Sequence, residues 1–268
     1  MHKNTNPSIE NLDKITVDHA GNAVIKEKDE EIARLREELS GVYLYLNEFV
    51  YAAAHAMKSP VANLNLVTIL LEKTNDVEEY KSYLQTIKNS IKKLDQTIHG
   101  LVQGFKVKTW DSCPELLSLD NIVEDLLLKN QGKLNCLPTK IRCNFEACPD
   151  IFYNKNILFE ILNILTQNSF NYKSDSRDLE VSISSERFGD TVLLQVKDNG
   201  IGIDLDRHGK DLYQPFKKFS PSSQGNGMGL YLVKILLEKN KGCIEIESKL
   251  NFGTTVKFYL KEQQKIVK

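Results

Sequence analysis

The chain has 268 residues, of which 35 are basic and 36 acidic, with an ordinary 41% apolar content. That balance excludes recognition of nucleic acid or an anionic membrane surface by bulk charge. Apolar runs such as 49–54 and 126–128 fall far short of the roughly 20 residues needed to cross a bilayer, and the N-terminus lacks the apolar stretch of a signal peptide. The cysteines, Cys113, Cys136, Cys143, Cys148 and Cys243, are odd in number and form no CxxC pair, and His99 and His208 offer no ligand spacing beside them. Free, partly buried thiols in a cytoplasmic protein are therefore expected, with neither a disulfide framework nor a structural metal.

Residues 1–26 read as a polar leader or the remnant of a sensory domain. Within it, Ile15–Asp18 and Ala23–Ile25 flank a Gly-Asn pair that suggests a short hairpin. Residues 27–110 carry two heptad stripes. The first is Ile32, Leu35, Leu39, Val42, Leu46, Phe49, Ala53 and Ala56; the second is Tyr80, Leu84, Ile87, Ile91, Leu94, Ile98, Leu101 and Phe105. Thr74-Asn75-Asp76 between them is a turn, so the pattern predicts a coiled coil leading into an antiparallel helical hairpin. One hairpin buries too little surface to be stable, and two copies closing a four-helix bundle predict a homodimer. Heptads alone are equally compatible with a plain structural coiled coil.

Residues 111–268 mix strands and helices. Helices are predicted at 121–130, 156–172 and 230–238. Strands are predicted at 141–145, 179–184, 192–196, 243–248 and 254–260. The fold class is α+β, with helices layered on one mostly antiparallel sheet.

Four local patterns carry chemistry. His55, two positions past the heptad a-position Ala53, faces solvent, where its imidazole is largely neutral and nucleophilic at pH 7. Pro60 deletes a helical hydrogen bond nearby and is expected to kink the helix beside it. Asp198-Asn199-Gly200-Ile201-Gly202 follows a strand and puts a carboxylate where it can accept from an exocyclic amine. Gly225-Asn226-Gly227-Met228-Gly229-Leu230 opens a helix and presents backbone N–H groups to an anion. It follows no strand, which argues against a dinucleotide fold, and 220–224 before it reads as a mobile lid. Asn168, at the end of an apolar helix, has a carbonyl suited to Mg²⁺.

In this order, His55-Ala56-Met57-Lys58-Ser59-Pro60, Asn168, DxGxG, Pro215–Phe219, GxGxG and Gly253-Thr254-Thr255, the set resembles the transmitter region of sensor histidine kinases. The resemblance covers about residues 28–260. It implies a HisKA-type dimerisation and phosphoacceptor hairpin followed by an α/β-sandwich ATP-binding domain of the GHKL (Bergerat) group, which also includes DNA gyrase, a heat-shock chaperone family and the mismatch-repair ATPases. It implies ATP and Mg²⁺ as cofactors, and as partners a second copy of the chain, a response regulator receiver domain and an upstream sensor. By the same resemblance His55 is the phosphoacceptor, Asp198 holds the adenine amine and Asn168 the Mg²⁺. Tyr172, Gly200, Gly202, Gly225, Gly227, Gly229 and Leu230 shape the nucleotide pocket and its lid, with Phe216 and Phe219 as its aromatics. Lys218 contacts the γ-phosphate or an acidic residue of the helical domain, and Thr255 lies near the adenine.

Three residues depart from the family pattern. Ala56 stands where an acidic general base usually follows the histidine, Ile164 stands where a polar or acidic residue is common, and Asn171 replaces a usual Lys or Arg. The first favours a slow autokinase, or in its place a signalling scaffold that does not transfer phosphate. The second argues against a plain ATPase, which needs a Glu there.

Overall fold

The computed structural model describes residues 8–106, 113–219 and 225–262. The first element is one long helix, α1 (Ser8–Leu71). It runs through 15–25, where a hairpin was expected. An isolated two-stranded ribbon has no layer to pack on and is marginal in water, whereas a helix satisfies its backbone hydrogen bonds locally. The chain divides into two units, Met1–Ala52 and Ala53–Lys268. In the first, the stripe residues Ile32, Leu35 and Leu39 are exposed.

In the second unit, α1 ends one turn before Thr74 and α2 (Val77–Lys106) begins after Asp76. The Asp76 carboxylate caps α2, accepting from the backbone N–H of Glu78 at 2.7 Å and of Glu79 at 3.4 Å; such caps are worth about 1 kcal/mol. Ala53, Pro60 and Val67 are buried on α1, and Ser90 and Thr97 on α2, each set at seven-residue spacing. Pro60 lies inside α1 without ending it. The apolar stripe of α2 is mostly not part of this buried set: Leu84, Ile91 and Ile98 are 42, 55 and 53% exposed.

The C-terminal domain contains β1 (Glu115–Ser118), α3 (Leu119–Lys129), α4 (Gln131–Cys136), β2 (Thr139–Asn144), β3 (Asp150–Tyr153), α5 (Lys155–Asn171), β4 (Leu179–Phe188) and β5 (Thr191–Asp198). After these come α6 (Leu205–His208), a 3₁₀ turn (Gly209–Asp211), α7 (Gly229–Lys239), β6 (Cys243–Lys249) and β7 (Gly253–Lys261). Five strands form one sheet in the order β2-β4-β5-β7-β6; only β2 and β4 run parallel, and β1 pairs with β3 in a separate antiparallel ribbon. Inward-facing residues alternate as the pleat requires: Leu179, Val181 and Ile183 on β4, Val192, Leu194 and Val196 on β5, and Val256, Phe258 and Leu260 on β7 are all buried. α5 and α7 pack on this sheet and on each other. The Asn154 side chain starts α5 by accepting from the Ile157 N–H at 3.2 Å, and Leu158, Ile161 and Leu162 are fully buried along it. Only Cys148 among the cysteines is buried; the other four are exposed rather than partly buried.

Because Leu162 lies at the centre of this helix–sheet core, Leu162→Ala should lower unfolding free energy by about 2–5 kcal/mol. Urea denaturation followed by circular dichroism reads this as a lower midpoint with an unchanged slope.

Candidate functional site

A cavity of about 420 Å³ opens beside α5. Val196, Ile201, Leu232 and Val256 give it apolar walls; among its polar groups are Asn168 on α5, Tyr172 just after α5, Asp198 at the end of β5, and Thr254 at the start of β7. Gly202, Gly225, Gly227, Gly229 and Leu230 also line it. With Phe219 also in its lining, five separate sequence patterns thus meet in one concavity that sets apolar walls beside convergent polar groups.

Asp198 organises the inner end. Its Oδ1 accepts from the Gly200 N–H at 2.8 Å and the Thr254 N–H at 3.3 Å, and its Oδ2 accepts from the Ser169 hydroxyl at 3.3 Å. Burial pushes the carboxyl above the usual carboxylate range; these hydrogen bonds, and Arg177 more distantly, pull it partly back. The surrounding loops are held by backbone contacts. The Ile201 N–H donates to the Tyr172 carbonyl at 2.9 Å, and Arg177 donates to the carbonyls of Asn199, Gly200 and Asn251 at 2.6–2.8 Å. Gly253 adopts φ +114°, and any Cβ there would collide with the Asp198 carbonyl, so only glycine lets β7 start this close to β5.

The outer end is built from backbone. α7 begins at Gly229, so its free N–H groups and positive dipole end face the cavity. The Asn168 side chain approaches this helix start closely: a Cβ on Gly229 would lie 3.1 Å from Asn168 Oδ1. Asn168 therefore presents an amide next to an anion-binding helix terminus. One protein oxygen there fits Mg²⁺, which usually keeps several waters and takes its other ligands from substrate phosphates. The predicted lid, 220–224, lies outside the described residues.

Several expected site residues are placed differently. Thr254, not Thr255, lines the cavity. Strand alternation puts residue 254 on the same face as buried Val256, Phe258 and Leu260, and turns 255 away. Gly200 is buried and acts through its N–H on Asp198 without lining the cavity. Phe219 lines the cavity and stacks at 5.1 Å on His208. Phe216, at φ +62°, instead abuts α2 at Gly100. Partial burial, followed by the charges of Lys93 and Lys92 on α2, lowers the pKa of Lys218. His55 is exposed on α1, and Ala56 is half-buried beside it.

Sequence reasoning missed Ser169, Thr254 and Arg177 as site residues. Thr254 was within reach of the period-two pattern; Arg177 had no local signal, because its partners lie 22 to 74 residues further along the chain.

Residues 153–264 match the family model described as histidine kinase-, DNA gyrase B-, and HSP90-like ATPase. This segment is a domain of that family. Among characterised relatives, the chain is 30% identical over 218 residues to the methanogenesis regulatory histidine kinase FilI of Methanothrix harundinacea, covering 80% of this chain and 24% of the relative. It is 23% identical over 235 residues to the histidine protein kinase SaeS of Staphylococcus aureus, covering 84% and 66%. It is also 26% identical to cyanobacterial phytochrome B of a Nostoc species, covering 89% and 32%. The chain thus spans only about a quarter to two thirds of these relatives. Of solved structures, the histidine kinase ThkA in complex with the response regulator protein TrrA aligns with a TM-score of 0.59 at 18% identity, covering 88% of this chain and 66% of that one. The Acinetobacter baumannii histidine kinase AdeS aligns at 0.54 and 18%, covering 78% and 98%. The histidine-kinase fold read from the motifs is therefore the fold of this chain.

The raised Asp198 pKa has a consequence for stability. A carboxyl that binds its proton more tightly when folded makes the native state less stable as pH rises through the interval between its ordinary and its raised value, and the cost is fully present above that interval. In the absence of nucleotide, Asp198→Asn should therefore be more stable than the parent at pH 7, with the gain shrinking as pH falls through that interval and gone at its lower end. Thermal melts of both proteins from pH 7 to pH 3.5 check this. A loss of stability at pH 7 would contradict the burial argument.

Proposed function

We propose that this chain is the kinase portion of a two-component sensor histidine kinase: it binds ATP·Mg²⁺, phosphorylates His55 and passes the phosphoryl group to an aspartate of a response regulator. The observation that carries this reading is the cavity joining a buried carboxylate, Asp198, to a glycine-bounded helix start and Asn168. The carboxylate takes the adenine amine at the inner end. The N-terminus of α7 takes phosphate at the outer end. Mg²⁺ held through Asn168 would neutralise charge on the phosphates. Lys218, beside Lys92 and Lys93, adds positive charge that the γ-phosphate needs as it transfers.

The His55 imidazole, exposed on α1, attacks phosphorus as the bond to the departing ADP oxygen breaks. Its rate is limited by Ala56. A general base contributes about a hundredfold to ten-thousandfold, and alanine supplies none. The same observation favours the second reading, a dimeric scaffold that binds nucleotide and docks a regulator without phosphate transfer.

The reading of a homodimer is supported by the face left open on the hairpin. Leu84, Ile91 and Ile98 repeat every seven residues on α2 and are half-exposed in one chain. A second copy would bury them in a four-helix bundle. A response regulator as partner is supported by the similar ThkA chain, whose structure contains one. A cytoplasmic site of action suits the five unpaired cysteines. No described helix is long and apolar enough to cross a membrane.

Incubation with Mg²⁺ and γ-labelled ATP should place acid-labile, alkali-stable label on the tryptic peptide 37–58, which contains His55. His55→Ala should remove label from that peptide, and Ala56→Glu should raise its labelling rate roughly a hundredfold or more. ATP binding with no alkali-stable label on any peptide, in parent or Ala56→Glu protein, would reject the kinase in favour of the scaffold.

A further inference from the structure

The mouth of the nucleotide cavity is formed by α2, through Asp95, Gln96 and His99. His99 Nδ1 lies 3.0 Å from the Asp95 backbone carbonyl and 3.5 Å from the Asp95 carboxylate. A carbonyl oxygen can only accept, so this hydrogen bond requires the proton on Nδ1 and leaves the Nε2 lone pair free. The carboxylate beside Nδ1 favours the positive charge that an imidazole acquires when Nε2 becomes bonded to phosphorus. The His99 side chain is 73% exposed, so an incoming group can reach Nε2.

The neighbouring residue fixes where this imidazole sits. Gly100 packs so tightly on the glycine-rich segment that a Cβ there would lie 2.8 Å from Met228 Cγ and 3.0 Å from Asn226 Nδ2. α2 thus rests on the very segment that closes the phosphate end of the cavity, and His99 lines the same space as Gly225, Gly227 and Gly229. His55, exposed on α1 and followed by Ala56, does not line this cavity.

We propose that His99 is a second phosphoacceptor, oriented by Asp95, which the bound ATP phosphorylates within the cavity. The inference rests on the ATP-dependent kinase reading above. In the step, Nε2 forms a bond to the γ-phosphorus and the bond between that phosphorus and the β–γ bridging oxygen breaks. Its electron pair leaves with ADP. The Nδ1 proton stays on the ring, shared with Asp95, so no further proton acceptor is required.

The test uses the full chain, Mg²⁺ and γ-labelled ATP, with peptide mapping of the alkali-stable label. His55→Ala should keep label on tryptic peptide 94–106, which contains His99, and His55→Ala/His99→Gln should lose it. In the His55→Ala background, Asp95→Asn should slow labelling of 94–106 by about a hundredfold if the carboxylate assists the step, while circular dichroism melts confirm that the exposed substitutions leave the fold intact. Label on 37–58 of the parent with a blank His55→Ala protein would overturn the role of His99 and leave the kinase reading standing. No label in either protein would overturn both.

Discussion

A carboxylate kept out of water at the end of β5 is the constraint to which the rest of the C-terminal domain answers. Asp198 is tolerable there only because three donors reach it, from Gly200, Thr254 and Ser169. Each donor comes from a different element, so the registers of α5, β5 and β7 must all be right at once. Gly253 has to be glycine for β7 to begin close enough, and Arg177 has to tie three carbonyls together for the loop to hold its course. An unpaired ionised carboxylate in such a place would cost several kcal/mol. A bound ligand that supplies one more donor to it gains from a group already desolvated and oriented.

The same domain is apolar where it needs to be stiff and glycine-rich where it needs to touch a ligand. Fully buried Leu158, Ile161 and Leu162 anchor α5 on the sheet, which fixes Asn168 two turns later. Across the cavity, α7 begins at a glycine whose missing side chain makes room for Asn168. The hairpin helix α2 is shaped by this too: Gly100 allows it to lie on the glycine-rich segment, placing Asp95 and His99 at the cavity mouth.

Much of this was legible in the sequence, for physical reasons. Period-two alternation in 179–184 and 254–260 marked strands with one buried face, and the apolar run at 156–172 marked the central helix. The order of the motifs carried the family. What failed did so where local pattern meets distant structure. The Gly-Asn pair at 21–22 suggested a hairpin, but a lone two-stranded ribbon is marginal in water and helix prevails. The apolar stripe at 80–105 lies on α2, yet Leu84 and Ile91 stay half-exposed, because periodicity marks an apolar face and says nothing of what covers it. Thr255 was favoured over Thr254 by motif position, whereas strand parity decides which one enters the cavity. The lysines around Lys218 could not be foreseen, since Lys92 and Lys93 lie more than a hundred residues earlier on another element.

The central claim is that Asp198 reads the amine of adenine. The most direct measurement compares, by calorimetry, the binding of ATP and of the purine riboside triphosphate that lacks only that amine, to the parent protein and to Asp198→Ala. The account predicts that deleting the amine costs the parent about 1.5–3 kcal/mol, roughly ten- to a hundredfold in affinity, as for a hydrogen bond to a charged group, and costs the variant almost nothing. Equal affinity of the parent for the two nucleotides would contradict it.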